Sequence, residues 1–573
     1  MKTLAIIGMG PRGLYALENL LTQLAKTNQA IEILVFEACE LPGSGNVWNH
    51  NQPDTNWINI TERALSGLKE RPQINYNNIL IDGFPSYHNW CDFSQTSEDP
   101  DQFPPRRKLG IYLNERFNSI AKALRAYDRF KVINSKIIAI ELNENYTVKI
   151  ESTKNTWLCN DVLLTVGHQP TKPSKQLEKW EAHVNTFHDL KLFNEPYPVT
   201  ELDHIRNKEH IVIGIRGFGL AMIDVMRYLA VNNYGNFKVT DSSTLETVYY
   251  KTKEQNLKLV PFSLDGLPMG PKPLNENIDN WYKPNASQLD FIRNKIEAFT
   301  NTEKDANTID FLIQPLAEIG AQIFEQLNNK AVDHSLNSDT LKSVILDFLS
   351  DADYSHHLIQ NSNISTYNLI RSYVNMALGN TKISLDYCIW QVWRHCQPML
   401  YKTISHAKLS NETMNKIIDL DERSKRFSYG PPLESLQQIL ALADAKVLDL
   451  DYTNNPDIKL TENGWELKNK ANKTLVCDIM VNSVLDSPQL LKINSPLIVN
   501  LLKNELIQPV HTDLGIETQD DGYVVSDDKN KQVPIAILGR IVKGSVLGVD
   551  AILECFGKRV EDWADGYVKR LNS

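Results

Sequence analysis

Strand, glycine turn and helix follow one another twice in this chain of 573 residues. Thr3 to Ile7 is an apolar strand that runs into Gly8-Met9-Gly10-Pro11-Arg12-Gly13, after which Leu14, Leu17, Leu20 and Leu21 recur at helical spacing. Gly8 suits the tight turn, Gly10 lets a pyrophosphate approach the backbone, and Gly13 lets the helix pack on the strand, so that the helix N-terminus aims free amides at phosphate. A second strand, Ile31 to Phe36, ends at Glu37, ~20 residues beyond the glycines, where an acidic side chain accepts from a ribose. The pattern returns in His210-Ile211-Val212-Ile213-Gly214-Ile215-Arg216-Gly217-Phe218-Gly219, with Met222, Val225, Met226 and Leu229 marking the next helix. Here Arg216 occupies the second glycine position, where its side chain either obstructs a pyrophosphate or neutralises it.

The expected architecture is α/β, with two Rossmann-like dinucleotide-binding domains, each carrying a β-meander, and a large helical insertion. Phe130 to Glu141 and Tyr146 to Glu151 read as strands of the first meander, and Trp157 to Val166 as the strand that closes its domain. Thr244 to Tyr250 and Leu257 to Phe262 read as the next strands of the second. From about Ser287 the periodicity turns helical, and after Gly430-Pro431-Pro432 strands resume at Lys446 to Tyr452, Ile458 to Leu467 and Thr474 to Val481. The boundaries that follow are 1–204 and 491–573 for the first dinucleotide domain, 205–284 and 444–490 for the second, and 285–443 for the insertion, which serves either substrate contacts or a dimer surface, hence a homodimer as one reading.

Composition removes several classes of function. A net charge of −10, without a dense basic stretch, argues against nucleic acid as a partner. The seven cysteines, Cys39, Cys91, Cys159, Cys388, Cys396, Cys477 and Cys555, form no Cys-x-x-Cys pair, so they read as reduced, mostly buried thiols and no metal site is expected. No apolar run reaches the ~20 residues of a membrane span, and MKTLAIIGMG lacks a signal-peptide core. A cytoplasmic location is the resulting expectation.

Further motifs carry a resemblance. The segment Gly43-Ser44-Gly45-Asn46-Val47-Trp48 after Glu37, Thr165-Val166-Gly167-His168-Gln169-Pro170, Arg426-Phe427-Ser428-Tyr429-Gly430-Pro431-Pro432 and Leu538-Gly539-Arg540 through Gly548-Val549-Asp550 stand in the expected order. With the two glycine turns they resemble the bacterial FAD-NAD(P)-binding family, which is in turn similar to class B and N-hydroxylating flavoprotein monooxygenases. Asn46, Val166 and Arg540 depart from the Gly, Thr and Asp usual in that group.

The resemblance implies FAD held by Gly8, Gly10, Pro11, Arg12, Gly13, Glu37, Gly45, Asn46, Val47, Trp48, Gly167, Gly539, Arg540 and Val549, with a helix from about Ala551 facing the flavin. It implies NADPH or NADH held by Gly214, Arg216, Gly217 and Gly219. Arg540 either pairs with a phosphate or a substrate carboxylate, or is a plain surface residue. Lys251 and Lys253 suit a 2′-phosphate and Asp265 a free 2′-hydroxyl, so the choice of nicotinamide stays open.

The implied activity is oxygenation, with O2, of the amine of a small polar substrate such as an amino acid, through a C4a-hydroperoxyflavin. Asn59 and Arg63 are the candidate catalytic residues, Arg63 because its fork matches a carboxylate in two bonds. Arg394 and Arg426 are the candidate substrate contacts, although the sequence around Trp390, Trp393, Arg394 and Tyr401 also reads as a packed helix with Arg394 exposed. Ala182 and Val184 before His188 break the Baeyer–Villiger signature, and His188 reads as a loop or core histidine. Two alternatives remain: a non-oxygenating FAD-dependent NAD(P)H oxidoreductase, since one fold supports many activities, and a flavin-binding scaffold whose second nucleotide site has decayed at Arg216.

Overall fold

In the computed structural model, which describes residues 1–144, 147–205, 210–232, 234–252, 256–302, 307–525 and 533–571, the opening strand Thr3–Ile7 lies at the centre of a parallel sheet. The strand order is Ile535–Ile537, Asp161–Leu164, Thr3–Ile7, Glu32–Glu37, Phe130–Asn134. Leu4, Ile6, Ile33 and Val35 enter one core while Ala5, Ile7, Leu34 and Phe36 enter another. A period of two with both faces apolar is what a sheet covered on both sides requires. Helices Pro11–Thr27, Arg106–Ala123 and Lys558–Leu571 contribute to the first core. The antiparallel meander Ile137–Leu142, Val148–Ser152, Thr156–Cys159 and helix Pro496–Lys503 contribute to the second, tied by Ile140 N–H to Asn500 Oδ1 at 2.8 Å.

The expected strand Phe130 to Glu141 is therefore two strands. Its first five residues pair with Glu32–Glu37 in the parallel sheet and the meander starts at Ile137; Tyr146 lies outside the described residues. The helix expected from Ala551 is also displaced: a 3-10 turn occupies Leu553–Phe556, and the helix proper runs Lys558–Leu571. Glu554 Oε2 accepts from Ala551 N–H, closing a local turn that competes with helix propagation.

The second sheet is also parallel, in the order Lys191–Phe193, Ile479–Asn482, His210–Arg216, Asn256–Phe262. Strand Lys191–Phe193 and helix Lys175–Thr186, both before residue 205, pack into this unit: Leu177, Trp180 and Leu190 share a core with Trp465 and Met480. Thr244 to Tyr250 is not a strand of this sheet. Glu246–Lys251 pairs antiparallel with Gly235–Asp241 in a separate hairpin, so the strand beside the second glycine turn is Asn256–Phe262. Asp457–Thr461, Gly464–Lys468 and Thr474–Cys477 form the second meander, split from a longer apolar stretch where Gly464 takes φ +127°, a value open to glycine.

Seven helices, Ala286–Thr300, Asp310–Gln326, Ser338–Ser350, Thr366–Ala377, Leu385–Ile404, Asn411–Ser428 and Leu433–Asp444, fill the segment between. Their apolar faces join Ile211, Ile213 and Ile215 of the second sheet in one continuous core, so these helices are built onto the second unit. Among the described residues no helix is long and apolar enough to cross a membrane.

Candidate functional site

At the first glycine turn, Gly8 takes φ +91°, and a Cβ there would lie 2.7 Å from Thr165 O. A Cβ on Gly13 would lie 2.4 Å from Gly8 O, so this residue sets how closely helix Pro11–Thr27 meets the strand. The Thr165 hydroxyl donates to Gly8 O and locks the same junction. Gly10 caps the helix with no side-chain acceptor and no acidic residue follows in the first turn, leaving positive helix-end potential and unbonded amides available to an anion. Gly45 folds over this turn, since a Cβ on it would come within 3.2 Å of Gly10 Cα. Glu37 is buried and oriented by Met9 N–H (2.5 Å) and Cys39 N–H (2.8 Å). Arg12 lies against Gly539, where a Cβ would sit 2.8 Å from its Nη1. Val549 is buried. This glycine-lined, uncapped cradle fits a dinucleotide pyrophosphate.

The second turn keeps the same features. Gly217 takes φ +117° against Ser483, and Gly219 caps helix Leu220–Val231 without a side-chain acceptor. Gly214 packs so closely on Met480 that a Cβ would meet its Cε at 2.7 Å. Arg216 neither obstructs nor neutralises this turn, contrary to expectation. It is the last residue of its strand, and its guanidinium reaches sideways to Gln176 Oε1 (2.9 Å) and Asn482 Oδ1 (2.8 Å). Lys251 is exposed at the end of the hairpin, Asp265 accepts from Leu267 N–H and pairs with Arg426, and Lys253 lies outside the described residues. His188 is an exposed loop residue.

A cavity of about 1830 Å³ opens between the two turns, above the ~300–1,000 Å³ of single small-molecule sites. On the first side it is lined by Asn46, Val47, Trp48, Gly167 and His168, on the second by Leu220, Ala221 and Asn482. Trp48 is positioned by its backbone, because Gly110 is the residue that admits the Trp48 carbonyl: a Cβ there would be 1.7 Å from it. Gly167 faces open space at φ +67°.

The helical segment closes the cavity, and here Asn59, Arg63 and Arg394 come together. Asn59 Nδ2 donates to Tyr429 O at 3.2 Å. Arg63 spans Asp101 (2.7 and 3.0 Å) and Asp279 (2.7 Å), so the fork read as a substrate anchor is committed to two protein carboxylates. Arg394, expected to be exposed, is largely buried and pairs with Asp279, while Trp390 and Trp393 are core residues with rings 6.0 Å apart. Burial pushes the Asp279 carboxyl up, but Arg394, His395 and Arg63 override it and hold it well below the usual range. Arg426 lies outside the cavity lining, drawn to Asp265.

Arg540 lines the cavity but is neither a surface residue nor free for phosphate. It pairs with Asp550 at 3.1 Å, meets His168 Nε2 at 3.0 Å and donates to Asp486 O. Burial and Arg540 press the His168 imidazole down to about 4.

Two wall residues escaped the motif reading. Lys272, 7% exposed, donates from Nζ to Gly430 O at 2.6 Å, and burial followed by Arg394 brings its ammonium down to about 7. Glu554 is pushed up to about 7 by burial, against its bond from Ala551 N–H. Lys272 had a signal in Gly270-Pro271-Lys272-Pro273; Glu554 had none.

Nitrosuccinic acid synthase of Aspergillus oryzae is 22% identical over 556 residues, which span 90% of this chain and 83% of that protein. An L-aspartate N-monooxygenase (nitrosuccinate-forming) of Streptomyces davaonensis is 24% identical over 262 residues, 41% of this chain and 40% of that protein. Among solved structures, L-lysine 6-monooxygenase from Pseudomonas syringae aligns over 99% of both chains at 11% identity and a TM-score of 0.44. The FAD-NAD(P)-binding family model matches residues 5–169, the stretch that contains the first glycine turn, Glu37, Trp48 and Gly167. Over those residues the chain is similar to the FAD-NAD(P)-binding family.

Proposed function

We propose that the protein is an FAD- and NAD(P)H-dependent monooxygenase that oxygenates the amine of a small polar substrate such as an amino acid. The observation that carries this reading is the 1830 Å³ cavity that touches both glycine units and is closed by a charged helical wall. The names of the two curated relatives, both nitrosuccinate-forming, point to the same chemistry. Gly10, Pro11 and Gly13 would hold the FAD pyrophosphate and Glu37 a ribose; Gly217, Gly219 and the start of helix Leu220–Val231 would hold NAD(P)H. The chemistry FAD supplies when bound is acceptance of two electrons from NAD(P)H and activation of O2.

The chain's own residues do the rest. An amine attacks only when neutral, so the wall must take its proton, and Glu554, brought to about 7, is able to exchange a proton at neutral pH. Asn59, bonded to Tyr429 O, fixes the turn from which the Tyr429 side chain enters the cavity. The scaffold alternative rested on Arg216, and the engagement of that side chain with Gln176 and Asn482 removes its support.

The test is anaerobic reduction of the FAD-loaded protein with NADPH or NADH, then 18O2 with aspartate and mass spectrometry of the product. Bleaching of the flavin followed by 18O in an N-oxygenated product is expected. Nucleotide oxidation that yields peroxide without 18O product would instead establish the reductase, and a flavin that neither nucleotide reduces would refute both enzyme readings.

A further inference from the structure

One part of the cavity wall brings together Arg63, Lys272, Asp279 and Arg394, with the exposed Lys283 near Asp279 in sequence. Asp101 lies behind it, bonded to Arg63. Burial and Arg394 lower the His395 imidazole, against its contact with Asp279. Asp279 is shared between Arg63 and Arg394, and Asp101 is taken by Arg63. Among the described residues Lys272 has no carboxylate within 4 Å, and its Nζ is held by one acceptor, Gly430 O. Arg394 spends Nε on Gln391 and Nη2 on Asp279 and His395, leaving Nη1 without a partner among the same residues.

Lys272 is not there by loose packing. Gly270 N–H donates to Arg426 O and Lys272 N–H to Pro431 O, and a Cβ on Gly430 would lie 2.0 Å from Gly270 O. Two glycines thus let the 270–273 strap lie flush on the 427–431 turn and deliver a buried ammonium to the cavity. A buried cation without a counter-charge is costly unless a ligand supplies one.

We propose that Lys272 Nζ and Arg394 Nη1 hold a carboxylate of the substrate. This deepens the monooxygenase reading, on which it rests, by making the substrate an amino acid and not a diamine. The Arg63–Asp101–Asp279 array positions Arg394 and does not itself bind the ligand.

The experiment uses the FAD-loaded full chain without nicotinamide, and succinate as the probe, a dicarboxylate with no amine to oxygenate. Lys272 is acetylated with acetic anhydride at mildly alkaline pH and quantified by peptide mass spectrometry. Succinate is expected to slow its labelling by about tenfold or more, while a diamine of similar length leaves it unchanged; calorimetry should show Lys272→Met losing about tenfold or more in succinate affinity. Equal labelling with and without succinate, or unchanged affinity in Lys272→Met, would overturn the proposal. Because no oxygenation enters the readout, protection without turnover refutes the monooxygenase reading alone, and turnover without protection refutes the carboxylate site alone.

Discussion

Replacing Lys272 by Met should stabilise the ligand-free protein, by an amount that depends on pH in a calculable way. The folded environment lowers the ammonium from its ordinary 10.5 to about 7, and at ~1.4 kcal/mol per pK unit this costs the folded state ~5 kcal/mol. The unfolded chain takes up the proton below 10.5 and the folded chain only below about 7, so between these values the unfolded state binds more protons and stability rises with pH. The cost is complete below pH 7 and gone above 10.5. Methionine has a similar unbranched stem and no charge, but it leaves Gly430 O without its donor, which returns ~1 kcal/mol. The expected gain is then ~4 kcal/mol at pH 6 and ~1 kcal/mol at pH 9. Urea unfolding followed by tryptophan fluorescence at pH 6, 7.5 and 9, in buffers without carboxylate or phosphate, measures it. A gain that does not change with pH, or a Met variant less stable than wild type at pH 6, would refute the argument that Lys272 is a buried cation awaiting a counter-ion.

Arg63→Gln leaves the buried Asp101 and Asp279 without their shared partner and should cost ~3–5 kcal/mol of stability, read by the same unfolding assay. Gly110→Ala must displace the Trp48 carbonyl, which a Cβ would approach to 1.7 Å, so FAD retention on gel filtration should fall with stability; Gly167→Ala, at φ +67° with open space around it, should cost only the ~1–2 kcal/mol of a left-handed non-glycine residue. The Glu554 carboxyl titrates at about 7; as a base it is competent above that value, so amine oxygenation should rise with pH through about 7, and Glu554→Gln should remove that limb from the kcat/KM profile while leaving anaerobic flavin reduction in place.

What could be read in advance, and what could not, divides by how far apart the partners lie in the chain. Gly8, Gly10 and Gly13 act within six residues of one another, and their spacing alone implies the turn that places Gly8 at φ +91°. The strands Thr3–Ile7 and Glu32–Glu37 announce themselves because both their faces are apolar. Arg216 was misleading for the opposite reason: its local position suggested a blocked phosphate site, whereas its direction is set by Asn482, 266 positions away. Arg394 likewise reads as a surface residue on a packed helix until Asp279 comes to it from 115 positions upstream, and Arg540 reads as a lost aspartate until Asp550 and His168 are seen to hold it.

In each of these cases a guanidinium first has to satisfy acceptors of its own chain, carboxylates for Arg394 and Arg540 and side-chain amides for Arg216. The same bookkeeping identifies Lys272. Arg63, Arg394 and Arg540 each have a protein carboxylate within 4 Å, and a buried lysine beside them does not. In a wall where these arginines are already balanced, specificity for an anionic substrate falls to the buried lysine that, among the described residues, has no carboxylate within 4 Å, and to the Arg394 nitrogen left without a partner.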